Sequence, residues 1–167
     1  MFFDKIKTSQ TRRKNMRKFE IVRDEHRKHP EVEIVIPCRS SKKSAGYDFT
    51  LPVEVVLQPN QKQLIFSDIK AYMEDDEVLK IYPRSGLSTK KGIVLANVVA
   101  IIDADYVDNE ANDGNIGICL WNTSEETVVL EAGERVCQAL FVKYLTVDDE
   151  EEITKTRNGG FGSSGTK

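Results

Sequence analysis

The chain is expected to adopt an all-β fold of the β-sandwich, jelly-roll or barrel kind. Between residues 32 and 144 the sequence breaks into many short apolar-rich runs. Turn residues punctuate them, as at Gln58-Pro59-Asn60 and Glu131-Ala132-Gly133-Glu134. Runs this short and this regularly interrupted suit packed antiparallel sheets, and no Rossmann glycine fingerprint or internal repeat competes with that reading. The length of 167 residues fits one domain with a core of its own.

In order, residues 1–31 read as a basic leader carrying Arg12, Arg13, Lys14, Arg17, Lys18, Arg23, Arg27 and Lys28. Such a stretch is either an arm that grips nucleic acid or a short solvated helix or frayed leader; no aromatic ladder or helix-turn-helix pattern accompanies it. Strands are expected over 33–36, 53–57, 64–66, 78–82, 94–102, 115–121, 128–130 and 135–145, with a short helix at 87–91 behind Pro83. The folded domain is therefore placed at 32–147. Residues 148–167 form an arm: an acidic run, Asp148-Asp149-Glu150-Glu151-Glu152, then a Gly, Ser and Thr-rich stretch. It cannot bury enough apolar surface to fold alone, so it is either a disordered end or a flap that orders over a phosphate-bearing ligand.

Charge and cysteine usage exclude several classes. Lys+Arg 24 against Asp+Glu 27 gives a net charge of -3, too weak for a surface that coats nucleic acid. No apolar run approaches the ~20 residues of a membrane span, and no signal-peptide pattern opens the chain. Cys38, Cys119 and Cys137 are scattered without a C-x-x-C pair, which argues against a disulfide framework or a cysteine zinc site and for the cytoplasm.

Five segments carry chemistry. Ala45-Gly46-Tyr47-Asp48-Phe49 is a small-residue turn entering a strand with one carboxylate. Pro83-Arg84-Ser85-Gly86-Leu87-Ser88 ends a strand and opens a short helix; it is either an ordinary capped helix or an anion site to which Arg84 and the Ser85 hydroxyl contribute. Asn97 and then Ile101-Ile102-Asp103-Ala104-Asp105-Tyr106 would set Asp103 and Asp105 on one strand face, as solvated edge acids or as acids with a task. In Gly133-Glu134-Arg135-Val136-Cys137-Gln138, Arg135 and Gln138 lie three apart, so a bulge or a strand start is required for both to serve one site. The fifth is Arg157-Asn158-Gly159-Gly160-Phe161-Gly162-Ser163-Ser164-Gly165.

In this order and rough spacing the five segments resemble the motifs of the trimeric dUTPase family, over 45–165. The resemblance implies a jelly-roll subunit, a homotrimer with active sites at subunit contacts, and Mg²⁺-assisted hydrolysis of dUTP to dUMP and diphosphate. That reaction keeps uracil out of DNA and supplies dUMP for thymidylate synthesis. Asp103 matches the catalytic Asp that activates the water attacking the α-phosphorus. Asn97, with backbone around Ile101, Ile102, Ile116 and Gly117, would read uracil, and Tyr106 would lie beneath the deoxyribose and exclude a 2′-hydroxyl. Arg84, Ser85, Gly86 and Gln138 would hold the phosphates from a neighbouring subunit. Mg²⁺ would be held mainly by phosphates and water, with Asp48 reaching it through water. Arg135 is expected to be a structural partner of Asp48. Phe161 would stack on uracil while Gly162, Ser163 and Ser164 close on the phosphates, with Arg157 as a further phosphate ligand.

Some positions depart from the family pattern. Residues 107–113 intervene where a tight turn is usual, Ala100 and Ala139 replace a glycine and a larger aliphatic, and Arg157 sits one residue closer to Gly159-Gly160-Phe161. The insertion and compact tail resemble variants of Gram-positive bacteria and their phages, which places the enzyme in a host cytoplasm if phage-encoded. The acidic insertion is then either a solvated excursion or a docking loop for a regulatory protein. dCTP deaminases, which resemble dUTPases in fold, are the rival enzymatic reading.

Overall fold

The run Arg135–Lys143 carries Val136, Cys137 and Ala139 into the core with no exposure, and it forms the longest strand. The computed structural model describes residues 17–154 and residue 159. In chain order its strands are β1 (Lys18–Ile21), β2 (Cys38–Arg39), β3 (Tyr47–Thr50), β4 (Val55–Leu57), β5 (Lys62–Phe66) and β6 (Ile69–Tyr72). There follow β7 (Glu77–Pro83), helix α1 (Ser85–Lys91), β8 (Ile93–Leu95), β9 (Ala100–Asp103), β10 (Gly117–Asn122), β11 (Val128–Leu130) and β12 (Arg135–Lys143).

A five-stranded sheet runs β2-β3-β12-β7-β9, a three-stranded one runs β5-β10-β8, and β1-β6 and β11-β4 form ribbons. All pairings are antiparallel. Phe49, Leu79, Ile81 and Val136 join Ile65, Ile118, Leu120 and Leu57 in one apolar cluster. This is the jelly-roll-like all-β architecture expected from the sequence. No helix among the described residues is long and apolar enough to cross a membrane.

Four local expectations change. Residues 18–21, read as leader, form β1 and pair with β6. Phe19 explains why: its ring packs 5.3–5.6 Å from those of Tyr47, Phe49 and Phe141, and such aromatic burial outweighs the local basic composition. β6 was not expected, because Lys70 interrupts its apolar pattern, yet Lys70 is 5% exposed. The single strand expected over 94–102 is two strands, since Val98 turns the chain at φ 64. Residues 33–36 form no strand, although Ile34 packs against the core.

Candidate active site

β3, β12 and β7 bring the basic motif residues to one end of the large sheet. Gln138 lies opposite Asp48 on one side and Tyr82 on the other. A register shift between Arg135 and Cys137 supplies the irregularity that the spacing of Arg135 and Gln138 requires. Asp48, only 10% exposed, then meets two guanidinium groups: Arg135 Nη1 donates to Oδ2 at 3.2 Å, and Arg84 Nε lies 3.4 Å from Oδ1. Arg84 follows β7 directly and its backbone N–H donates to the Val136 carbonyl at 3.3 Å. One carboxylate thus orients two arginines, and Arg135 takes the structural partner expected of it.

Ser85 and Gly86 are exposed beside this cluster. With Arg84, Lys90, Lys91 and Arg135 they line a cleft of about 490 Å³. Lys91 is paired with Glu134 at 2.6 Å, so the cleft keeps an excess of cationic groups suited to a polyphosphate. Lys90 and Lys91 were not singled out from sequence, where they read as ordinary solvated helix residues. Gly46 is required by close approach: a Cβ there would lie 2.6 Å from Gln138 Oε1 and 3.0 Å from Gln138 Cβ. Burial pushes the Cys137 thiol well above its ordinary value, which removes it as a nucleophile.

The remaining motif residues gather elsewhere. β9 is the edge of the large sheet and ends at Asp103, opposite Val78 of β7. Asn97, Ile101 and Asp103 are exposed, while Ile102 and Gly117 are buried. Asp103 and Asp105 do not share a strand face as the alternation predicted, because Ala104–Tyr106 turns into a 3₁₀ helix. That turn carries Tyr106 inward to 4% exposure, where its hydroxyl donates to the Asn115 carbonyl at 3.0 Å.

Arg84 lies six residues along the chain from Val78, the β7 partner of Asp103. At ~3.3 Å per strand residue, the two groups are separated by roughly 20 Å along the sheet. Within one chain Asp103 and the Arg84 cluster therefore lie toward opposite ends of β7.

No group of three or more His, Cys, Asp or Glu able to hold a metal occurs among the described residues. A lone Asp48 flanked by arginines fits an ion carried by substrate oxygens and water, and does not fit an all-protein cage.

The 107–113 insertion is less of a free acidic loop than its composition suggests. Asp113 is 1% exposed and is bound by Arg23, through its backbone N–H at 2.7 Å and Nε at 2.9 Å, and by Lys70 Nζ at 3.0 Å. Asp108 accepts from Lys70 Nζ at 2.6 Å and from the Tyr72 hydroxyl at 2.9 Å. Burial and the Asp108 contact push the Tyr72 phenol up to about 12. Asp108 and Glu110 are the exposed acids of this loop. Arg157, Phe161, Gly162, Ser163 and Ser164 lie outside the described residues.

The family model of dUTPase matches residues 32–165. A deoxyuridine 5'-triphosphate nucleotidohydrolase of Lactococcus lactis is 43% identical over 151 residues, covering 90% of this chain and 98% of that protein. The crystal structure of a dUTPase from Streptococcus mutans superposes with a TM-score of 0.69 at 37% identity, covering 78% of this chain and 98% of that one. The dUTPase of phage phi11 of S. aureus, known for its species-specific insert, shares the fold with a TM-score of 0.64 at 22% identity, over 87% of this chain and 100% of that one.

Proposed function

Because the chain belongs to the dUTPase family and hydrolyses dUTP to dUMP and diphosphate, we propose that its active sites are shared between subunits of a trimer. Asp103 of one subunit and the Arg84 cluster of a neighbour then face one substrate. The roughly 20 Å between these groups within a chain carries this reading. The exposed apolar edge formed by Val98 and Ile101 supports it, since a neighbouring subunit would cover it.

In this scheme the Asp103 carboxylate accepts a proton from the attacking water, which adds to the α-phosphorus as diphosphate leaves. Phosphoryl transfer needs positioning and charge neutralisation more than covalent chemistry, so one carboxylate suffices on the protein side. Arg84, Ser85, Gly86 and Gln138 hold the phosphate chain, while Asn97 and backbone groups at Ile101, Ile102 and Gly117 read the uracil edge. Tyr106 lies against the deoxyribose and excludes a 2′-hydroxyl. Mg²⁺, when bound with substrate, neutralises phosphate charge, and Asp48 is the side chain able to reach its water shell. Residues 148–167 act as an arm whose Arg157, Phe161, Gly162 and Ser163 close the site. Removal of dUTP in this way limits uracil in DNA and yields dUMP for thymidylate synthesis.

Turnover in H₂¹⁸O tests the direction of attack. The expected result is label in dUMP; label in diphosphate would place the attack on the β-phosphorus, and ammonia from dCTP would favour the deaminase alternative.

A further inference from the structure

Tyr106 is held at both ends by amides of the inserted loop. Asn112 Nδ2 donates to the Tyr106 hydroxyl at 2.8 Å, and Asn109 Nδ2 donates to the Tyr106 carbonyl at 2.7 Å. The loop closes tightly on this residue: Gly114 sits at φ 81, where a Cβ would lie 2.8 Å from Val107 Cα and 3.0 Å from the Tyr106 carbonyl. The amide orientation of Asn112 is fixed. Its Oδ1 accepts from Asn109 Nδ2 at 2.7 Å and from the Gly114 N–H at 3.1 Å, so a flipped amide would set donors against donors. The phenol therefore accepts from Asn112 while giving its own hydrogen to the Asn115 carbonyl. Asn115 is fully buried and anchored in turn by Asp68, to which its Nδ2 donates at 2.9 Å.

We propose that Asn112 is a positioning residue for substrate selection, fixing the Tyr106 ring in the pose that separates dUTP from UTP. This rests on the role given to Tyr106 above. The insertion thereby supports the site from within. Without the Asn112 bond the hydroxyl keeps its bond to the Asn115 carbonyl and the ring keeps its core packing, but a small tilt within that packing opens space for a 2′-hydroxyl.

The test is the ratio of kcat/KM for dUTP to that for UTP. Asn112→Ala should lower the ratio about five- to tenfold, the scale of one lost hydrogen bond. Asn112→Leu keeps the approximate shape and can make no hydrogen bond, so it should fall with Asn112→Ala; recovery of the wild-type ratio in Asn112→Leu would mean simple packing and overturn the proposal. In a Tyr106→Phe background, which lacks the hydroxyl, Asn112→Ala should change the ratio less than about twofold. An unchanged ratio in Asn112→Ala, with Tyr106→Ala losing selectivity, overturns the positioning role alone. An unchanged ratio in Tyr106→Ala overturns both the gate and the proposal built on it.

Discussion

Gly46→Ala adds a single methyl group at the phosphate end of the site. The new Cβ would meet Gln138 Oε1 at 2.6 Å and Gln138 Cβ at 3.0 Å. The first contact is removed by rotating the amide away, but the second involves atoms fixed to β12 and requires a shift of a few tenths of an ångström. Overpacking of this kind costs about 1–2 kcal/mol, or roughly 2–8 °C in Tm for a chain of this size. The rotated amide no longer faces the phosphates. If Gln138 supplies one hydrogen bond to the phosphate chain, kcat/KM for dUTP should fall about tenfold, equivalent to ~1.4 kcal/mol. The assay is diphosphate release with calorimetric Tm for Gly46→Ala, Gln138→Ala and the double variant. The double variant keeps the 3.0 Å Cβ contact, so it should keep most of the loss in Tm, and it should be no less active than Gln138→Ala. Full activity in Gly46→Ala beside a strongly impaired Gln138→Ala would refute the coupling of the two residues.

Two further outcomes follow from the same geometry. Truncation after Ile153 removes no strand of the described residues, so Tm should stay unchanged while kcat/KM collapses; undiminished turnover would remove the arm from the site. Burial works against the Asp113 carboxylate, but the Arg23 N–H and Lys70 outweigh it and hold its value below the ordinary carboxylate range. Its stabilisation is therefore complete above about pH 4 and is lost as pH falls through the depressed value. Asn at position 113 should cost about 3 kcal/mol at pH 7, and the Tm gap to wild type should close as pH falls below about 4. A gap that stays constant on acidification would show that the charge of Asp113 contributes nothing.

The large-scale fold was readable because turn chemistry and short apolar runs repeat across the chain. The irregularity at Arg135–Cys137 was readable too, since two polar residues three apart reach one site only through a bulge or at a strand start, and Arg135 opens β12 beside a register shift. β1 and β6 were not, because their stabilisation is nonlocal. Phe19 finds its aromatic partners on β3 and β12, and Lys70 is buried only because Asp108 and Asp113 come back to it from about forty residues away. The turn at Val98 was hidden because valine disfavours positive φ and signals a strand. The insertion misled for the opposite reason. Its acids and asparagines read as solvent-facing, whereas its Asn residues are Asx-type turn formers that also reach Tyr106. Clustering of three asparagines with a glycine between Asn109 and Asn115 was the local signal of a closed loop.

Subunit complementation tests the shared site most directly. Asp103→Asn should lose ~10²–10⁴ in kcat as a homotrimer, since the amide cannot accept the proton of the water. Arg84→Ala should be similarly impaired through the phosphate cluster. Co-expressed in equal amounts, the two chains assort into mixed trimers in which about one site in four pairs an intact Asp103 with an intact neighbouring Arg84. The account predicts recovery of about a quarter of wild-type turnover in the mixture. No recovery in confirmed mixed trimers would mean that Asp103 and Arg84 act within one subunit, and would contradict it.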